Sequence, residues 1–85
     1  MKYTVVETGP RNVAQANYKD YRIQVVTGYS IVGDNYPIHI YIQRYAPDGR
    51  LAGRPEKLAL SGHADRMDEA FEAGLSGAMA EIDVR

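Results

Sequence analysis

The residues of this chain that could carry chemistry are few: His39 and His63, the serines Ser30, Ser61 and Ser76, and carboxylates that gather after residue 64. A metal ion needs several converging ligands, and with no cysteine in the chain these would have to come from the two histidines and the acids. His39 falls on a strand pattern and His63 in a loop, at no ligand-like spacing, so neither a metal nor any other cofactor is expected. None of the serines stands in a nucleophile-elbow pattern. The pairs Asp68/Glu72 and Asp65/Glu69 lie one helical turn apart on an outer arc, which suits helix capping and solubility better than acid–base work. Gly49, Gly53 and Gly62 are isolated turn glycines, and no phosphate cradle surrounds them. The expectation is a protein without catalytic residues.

The surface with most content is a strand face. Residues 38–45 read Ile-His-Ile-Tyr-Ile-Gln-Arg-Tyr, an alternation that places Ile38, Ile40 and Ile42 on one side and His39, Tyr41, Gln43 and Tyr45 on the other. Arg22 and Gln24 of a preceding strand pattern should join that second side. Two tyrosines among hydrogen-bonding and cationic neighbours fit a protein–protein contact, where tyrosine and arginine are enriched. They also fit base stacking with Arg22 and Arg44 on the phosphates, or a face that merely pairs across strands. Ten basic residues against eleven acidic ones argue against strong, non-specific nucleic-acid binding. A second candidate is the connection of residues 28–37, where Tyr29, Ile31, Val32 and Tyr36 are larger and more apolar than a solvated loop requires. They either fold back over the core or stand exposed for a partner, and folding back is the expectation.

These residues must be positioned by a small scaffold. The chain has 85 residues, 45% hydrophobic and 25% charged with a net charge of −1, which describes one ordinary globular domain. An acid at Glu7 and Gly9-Pro10 interrupt the start before a signal-peptide core could form, and no apolar run is long enough to span a membrane. With no cysteine, the chain reads as cytoplasmic. Its charge is uneven: residues 11–57 carry seven basic and four acidic side chains, and residues 58–85 carry two and six.

The pattern predicts a single β-β-β-α domain over 1–85. Residues 1–17 hold a first strand from Lys2 to Glu7 and then an irregular loop. Residues 18–61 form the sheet, with strands at 18–27, 38–45 and 57–61 separated by Gly33-Asp34-Asn35 and by Pro47-Asp48-Gly49. Residues 65–83 form a helix capped by Asp65, with Met67, Phe71, Leu75, Ala78, Met79 and Ile82 on one arc. Beside that stripe, Ala70, Gly74 and Gly77 either let another chain approach or bring the helix close to its own sheet. Glu81 and Asp83 sit at the unfavourable end of the helix dipole, so tertiary contacts must compensate them. The fold class expected is α+β: a three- to four-stranded antiparallel sheet with one C-terminal helix packed on one face.

The segment Tyr18-Lys19-Asp20-Tyr21-Arg22-Ile23, the strand of residues 38–45, and Met67-Asp68-Glu69-Ala70 leading to Ile82-Asp83 together resemble small stand-alone bacterial β-β-β-α domains of a hypothetical-protein family. The order of strands and helix is also similar to that of AP2-type and phage-integrase arm-binding domains. That resemblance implies DNA contacts for Arg22, Gln24, Tyr41 and Gln43, but the dense arginines and the tryptophan of those domains are missing here. The functional expectation is an interaction module that binds a protein partner or a second copy of itself through the tyrosine face or the 28–37 loop. The alternative is weak nucleic-acid binding through the same face, and no membrane partner is expected.

Overall fold

A computed structural model describes residues 2–85. The elements are β1 (Thr4–Glu7), β2 (Asn12–Tyr18), β3 (Tyr21–Thr27), β4 (Tyr36–Pro37), β5 (His39–Arg44), β6 (Glu56–Lys57), β7 (His63–Ala64) and α1 (Met67–Asp83). The fold is α+β, as the patterns imply. A five-stranded antiparallel sheet in the order β1-β2-β3-β5-β6 is joined by a two-stranded β4-β7 pair, and α1 crosses one face. Among the described residues no helix is long and apolar enough to cross a membrane.

The sheet has more strands than expected because residues 12–17, predicted as a loop, form β2 together with Tyr18. Ala14 and Ala16 line up across the sheet with Val25 and Ile40 and with Ile23 and Ile42, giving two apolar rows beneath the helix. Alanine and asparagine have weak strand preference, so the local signal is faint. Pairing on both edges decides the matter, and Ala14 is fully buried. Tyr3 covers this end of the core and meets Phe71 edge-on, with ring centroids 5.6 Å apart.

Two further boundaries move. Tyr18 pairs with Tyr21, so Lys19-Asp20 makes a two-residue turn, with Lys19 in left-handed backbone at φ 52°. The strand expected over 57–61 shrinks to the β6 pairing of Glu56 with Ile42 and Lys57 with Tyr41. Leu58 still donates its N–H to Ile40 at 2.9 Å, and then the chain leaves the sheet so that His63 and Ala64 can pair with Pro37 and Tyr36.

Helix α1 buries Ala70, Phe71, Gly74, Leu75, Ala78 and Ile82, with Met67 and Met79 partly covered, so the apolar arc faces the sheet as its spacing requires. Its N-cap is Arg66, in extended backbone with no side-chain cap, and Asp65 lies one residue too early to reach the first turn. The row of small residues is used internally: a Cβ at Gly74 would lie 2.5 Å from Val25 Cγ1.

The acids at the helix end find cations. Asp83 accepts hydrogen bonds from the Lys19 ammonium and from the Tyr18 hydroxyl, the latter at 2.8 Å. Arg85 holds Glu56 through two bonds of 2.9 and 2.7 Å and reaches Glu81 at 3.3 Å. Lys19 and then Tyr18 hold the Asp83 carboxyl below the usual aspartate range, and Arg85 does the same for Glu56. A carboxylate with a depressed pKa stabilises the fold fully above its unfolded value, and that contribution disappears as pH falls through the depressed one.

Two outcomes are expected. Acidification from about pH 5 to pH 2 should loosen the helix end, and Asp83→Asn should flatten that acid limb of a thermal-melting series. Gly74→Ala should destabilise the protein by about 1 to 3 kcal/mol in denaturant titrations despite alanine's better helix propensity, because Val25 has no room to retreat. Gly77→Ala, whose new carbon would meet the flexible end of Leu60 at 3.3 Å and Ile40 Cδ1 at an ordinary 3.7 Å, should be neutral or stabilising.

Candidate functional site

The register assembles the tyrosine face as the alternation predicts. On the side away from α1, Gln15, Gln24, Tyr41 and Lys57 form one row across β2, β3, β5 and β6, and Asn17, Arg22 and Gln43 form the next. Val13, Val26 and His39 make a third row nearer the β3 end. Arg22, Gln24, His39, Tyr41 and Gln43 therefore share the open face. Tyr45 lies just past β5 and joins it by donating its hydroxyl to Asn17 Oδ1 at 2.8 Å. Arg44 does not join: it stands opposite Tyr21 on the helix side of the sheet, because strand alternation turns it away from Arg22.

Much of this face is already hydrogen-bonded. Gln24 Nε2 donates to Gln15 Oε1 at 2.9 Å, Arg22 Nη2 to Gln43 Oε1 at 3.1 Å, and Gln43 Nε2 to the Gly53 carbonyl at 2.9 Å. Such cross-strand pairs stabilise the sheet and leave fewer free donors for a ligand. Tyr41 and Tyr45 are four residues apart along one strand direction, about 14 Å at strand rise, too far to form one continuous stacking platform. His39 and His63 are both exposed and neither side chain bonds a carboxylate among the described residues. No group of three or more metal-ligating side chains forms there.

The 28–37 connection departs from expectation. Its apolar residues do not all fold back: Ile31 is 85% exposed and Val32 101%, while Tyr36 is half-buried. The segment is a short, ordered hairpin. Ser30 and Asn35 exchange backbone hydrogen bonds of 2.8 and 3.4 Å, enclosing a four-residue turn of Ile31, Val32, Gly33 and Asp34. Asp34 takes left-handed backbone at φ 50° and accepts a hydrogen bond from the Tyr29 hydroxyl, which raises the Tyr29 pKa. The Tyr29 and Tyr36 rings meet edge-on at 5.7 Å across the hairpin. Both aromatics are spent on the arms, and both aliphatics stand at the tip.

The base is equally fixed. Thr27, almost fully buried, donates its hydroxyl to the Pro37 carbonyl at 2.6 Å and so ties the two arms. Asn12, also buried, donates to the Thr27 carbonyl at 3.4 Å and accepts from the Gly9 N–H at 3.2 Å, linking the hairpin to the β1–β2 turn. Gly28 leaves its Cα against the Pro10 carbonyl, where an added carbon would lie 2.4 Å from that oxygen. Tyr29, Ile31, Val32 and Tyr36 stand out in the sequence by their size, whereas nothing in it singles out Asn12 and Thr27, whose role depends on the β2–β3 register.

No family model, no curated protein and no solved structure matches the chain. None of these comparisons supports a likeness to AP2-type or integrase-arm domains or to a bacterial hypothetical-protein family.

If the tyrosine pair and the Asp34 bond hold the hairpin, Tyr29→Phe should leave global stability nearly unchanged. It should nonetheless speed amide exchange at Ser30 and Asn35 by about fivefold, the effect of losing roughly 1 kcal/mol of local hydrogen bonding. Amide hydrogen exchange followed by NMR reads this directly.

Proposed function

We propose that this protein is a non-enzymatic protein-interaction module whose principal contact is the hairpin finger of residues 29–36. One observation carries the reading: the finger is braced at base and arms, yet it holds Ile31 and Val32 out in water at 85% and 101% exposure. Burying such side chains is worth about 1.5 to 3 kcal/mol each, a gain the protein's own core does not take. A turn that only reverses the chain is served by glycine, asparagine and serine. Because the finger is already ordered, a partner with an apolar pocket binds it at small entropic cost.

The open sheet face supports a contact less strongly, since Gln15, Gln24, Arg22, Gln43 and Tyr45 already satisfy one another or nearby groups. Tyr41 and His39 remain there as rim contacts beside the finger's base. The nucleic-acid alternative draws on that same face and loses Arg44 to the other side of the sheet.

A photo-crosslinking amino acid placed at position 32, with a control at Gln24 on the sheet face, tests the proposal in cells. The expected result is a discrete protein adduct from position 32 that is absent from the control and abolished by Ile31→Ser. An equal adduct pattern from both positions, or none from position 32, would overturn it.

A further inference from the structure

We infer that the free edge of β1 pairs with itself: β1 strands of two copies add antiparallel to one another about a two-fold axis at Thr4, joining two five-stranded sheets into one. This goes beyond the finger and uses none of its residues. β1 ends the order β1-β2-β3-β5-β6, and all four of its residues are exposed. A strand paired on one side presents a row of unpaired N–H and C=O groups on the other, which proteins blunt with proline, charge, short length or a covering element. The opposite edge is blunted in this way: β6 has two residues, Pro55 precedes it, and Arg85 holds Glu56. β1 contains no proline, and α1, which lies over β3 and β5, leaves Val5 42% exposed.

The edge is complementary to itself when read in the opposite direction. Val5 stands opposite Ala14 on the helix side, where Tyr3 lies against Phe71. Thr4 stands opposite Gln15 on the open side, and a shift of register between Val5 and Glu7 puts Glu7 on that side too, opposite Val13. Strand alternation carries Lys2 to the same side. With Thr4 set against Thr4 of the partner subunit, Tyr3 falls against Val5 of the partner subunit, both on the helix side. Lys2 then meets the shifted Val6-Glu7 pair of the partner subunit, of which Glu7 shares its side. The two-fold axis repeats each contact, giving two aromatic–branched pairs, two ion pairs and one threonine pair, all combinations that stabilise antiparallel strands. The contact Glu7 makes in its own chain, with Arg11 at 3.9 Å, is long and exposed on both partners, so little is lost in exchanging it.

One short strand per subunit makes a small interface, so the dimer is a reversible one that depends on concentration. Because the contact is isologous it closes at two copies, and the blunted β6 edges keep the joined sheet from growing further.

The chain has no cysteine, so a cysteine at position 4 reads the axis directly. Residues directly opposite in antiparallel strands have Cα atoms about 4.5 to 5.5 Å apart, within disulfide range. Under mild oxidation Thr4→Cys should form a covalent dimer about tenfold faster than Thr8→Cys, an exposed control beyond the strand. Sedimentation velocity of the wild type from micromolar to millimolar concentration should show a shift from monomer to dimer. Glu7→Lys should weaken that dimer by about tenfold, and combining it with Lys2→Glu should restore it, because attraction then returns on both sides of the axis. A wild type that stays monomeric throughout would overturn the inference and leave the edge to a strand of another protein or to water. Equal rates of covalent dimer formation from positions 4 and 8, or a charge-swapped chain that dimerises no better than Glu7→Lys, would overturn it as well.

Discussion

At Gly74 the helix touches β3 so closely that one added carbon would lie 2.5 Å from Val25, and the rest of the architecture follows from that approach. With no side chain between helix backbone and sheet, Phe71, Leu75, Ala78 and Ile82 reach down on either side of the contact into the rows formed by Ala14, Val25 and Ile40 and by Ala16, Ile23 and Ile42. A small domain buries a limited fraction of its surface, so a close helix–sheet distance is how this one excludes water from a thin core. The same closeness suits the alanines of β2, which lie in the two buried rows opposite Val25 and Ile23.

Docking at one point leaves the helix free to pivot, and ion pairs at its far end restrain that motion. Asp83 is held by Tyr18 and Lys19 from the β2–β3 turn, and Arg85 joins Glu56 at the opposite edge of the sheet. These groups are largely exposed, so each pair contributes little stability by itself. Their placement matters more: they straddle the sheet, and they neutralise acids that the helix dipole alone would disfavour. The left-handed backbone of Lys19 is accommodated in the turn that carries its ammonium to Asp83.

The other end of the molecule is organised around the 29–36 hairpin. Buried Asn12 and Thr27 tie its base to the sheet, the Tyr29–Tyr36 contact stiffens its arms, and the β4–β7 pair fastens it to the segment leading into the helix. The polar groups of the open sheet face are meanwhile largely consumed by cross-strand bonds. A surface rich in glutamine and tyrosine is thus largely self-bonded, and the projecting hairpin carries the two most exposed large apolar side chains among the described residues, Ile31 and Val32.

The sequence by itself determined the α+β class, the β5 alternation and the buried arc of α1, because these depend on periodicities of 2 and 3.6 that survive in any context. It also placed Arg22, Gln24, His39, Tyr41 and Gln43 on one face, since strand alternation needs no knowledge of the partner strands. Tertiary pairing made residues 12–17 a strand: alanine and asparagine carry little local preference, and pairing on two edges overrode it. It cut the 57–61 strand short, because residues 63–64 are needed by β4, and it moved the helix cap from Asp65 to Arg66. It likewise decided that Ile31 and Val32 face water. Hydrophobicity states that a side chain gains by burial, whereas whether a surface lies within reach depends on the bonds at Thr27, Ser30 and Asn35 that hold the tip away from its own core.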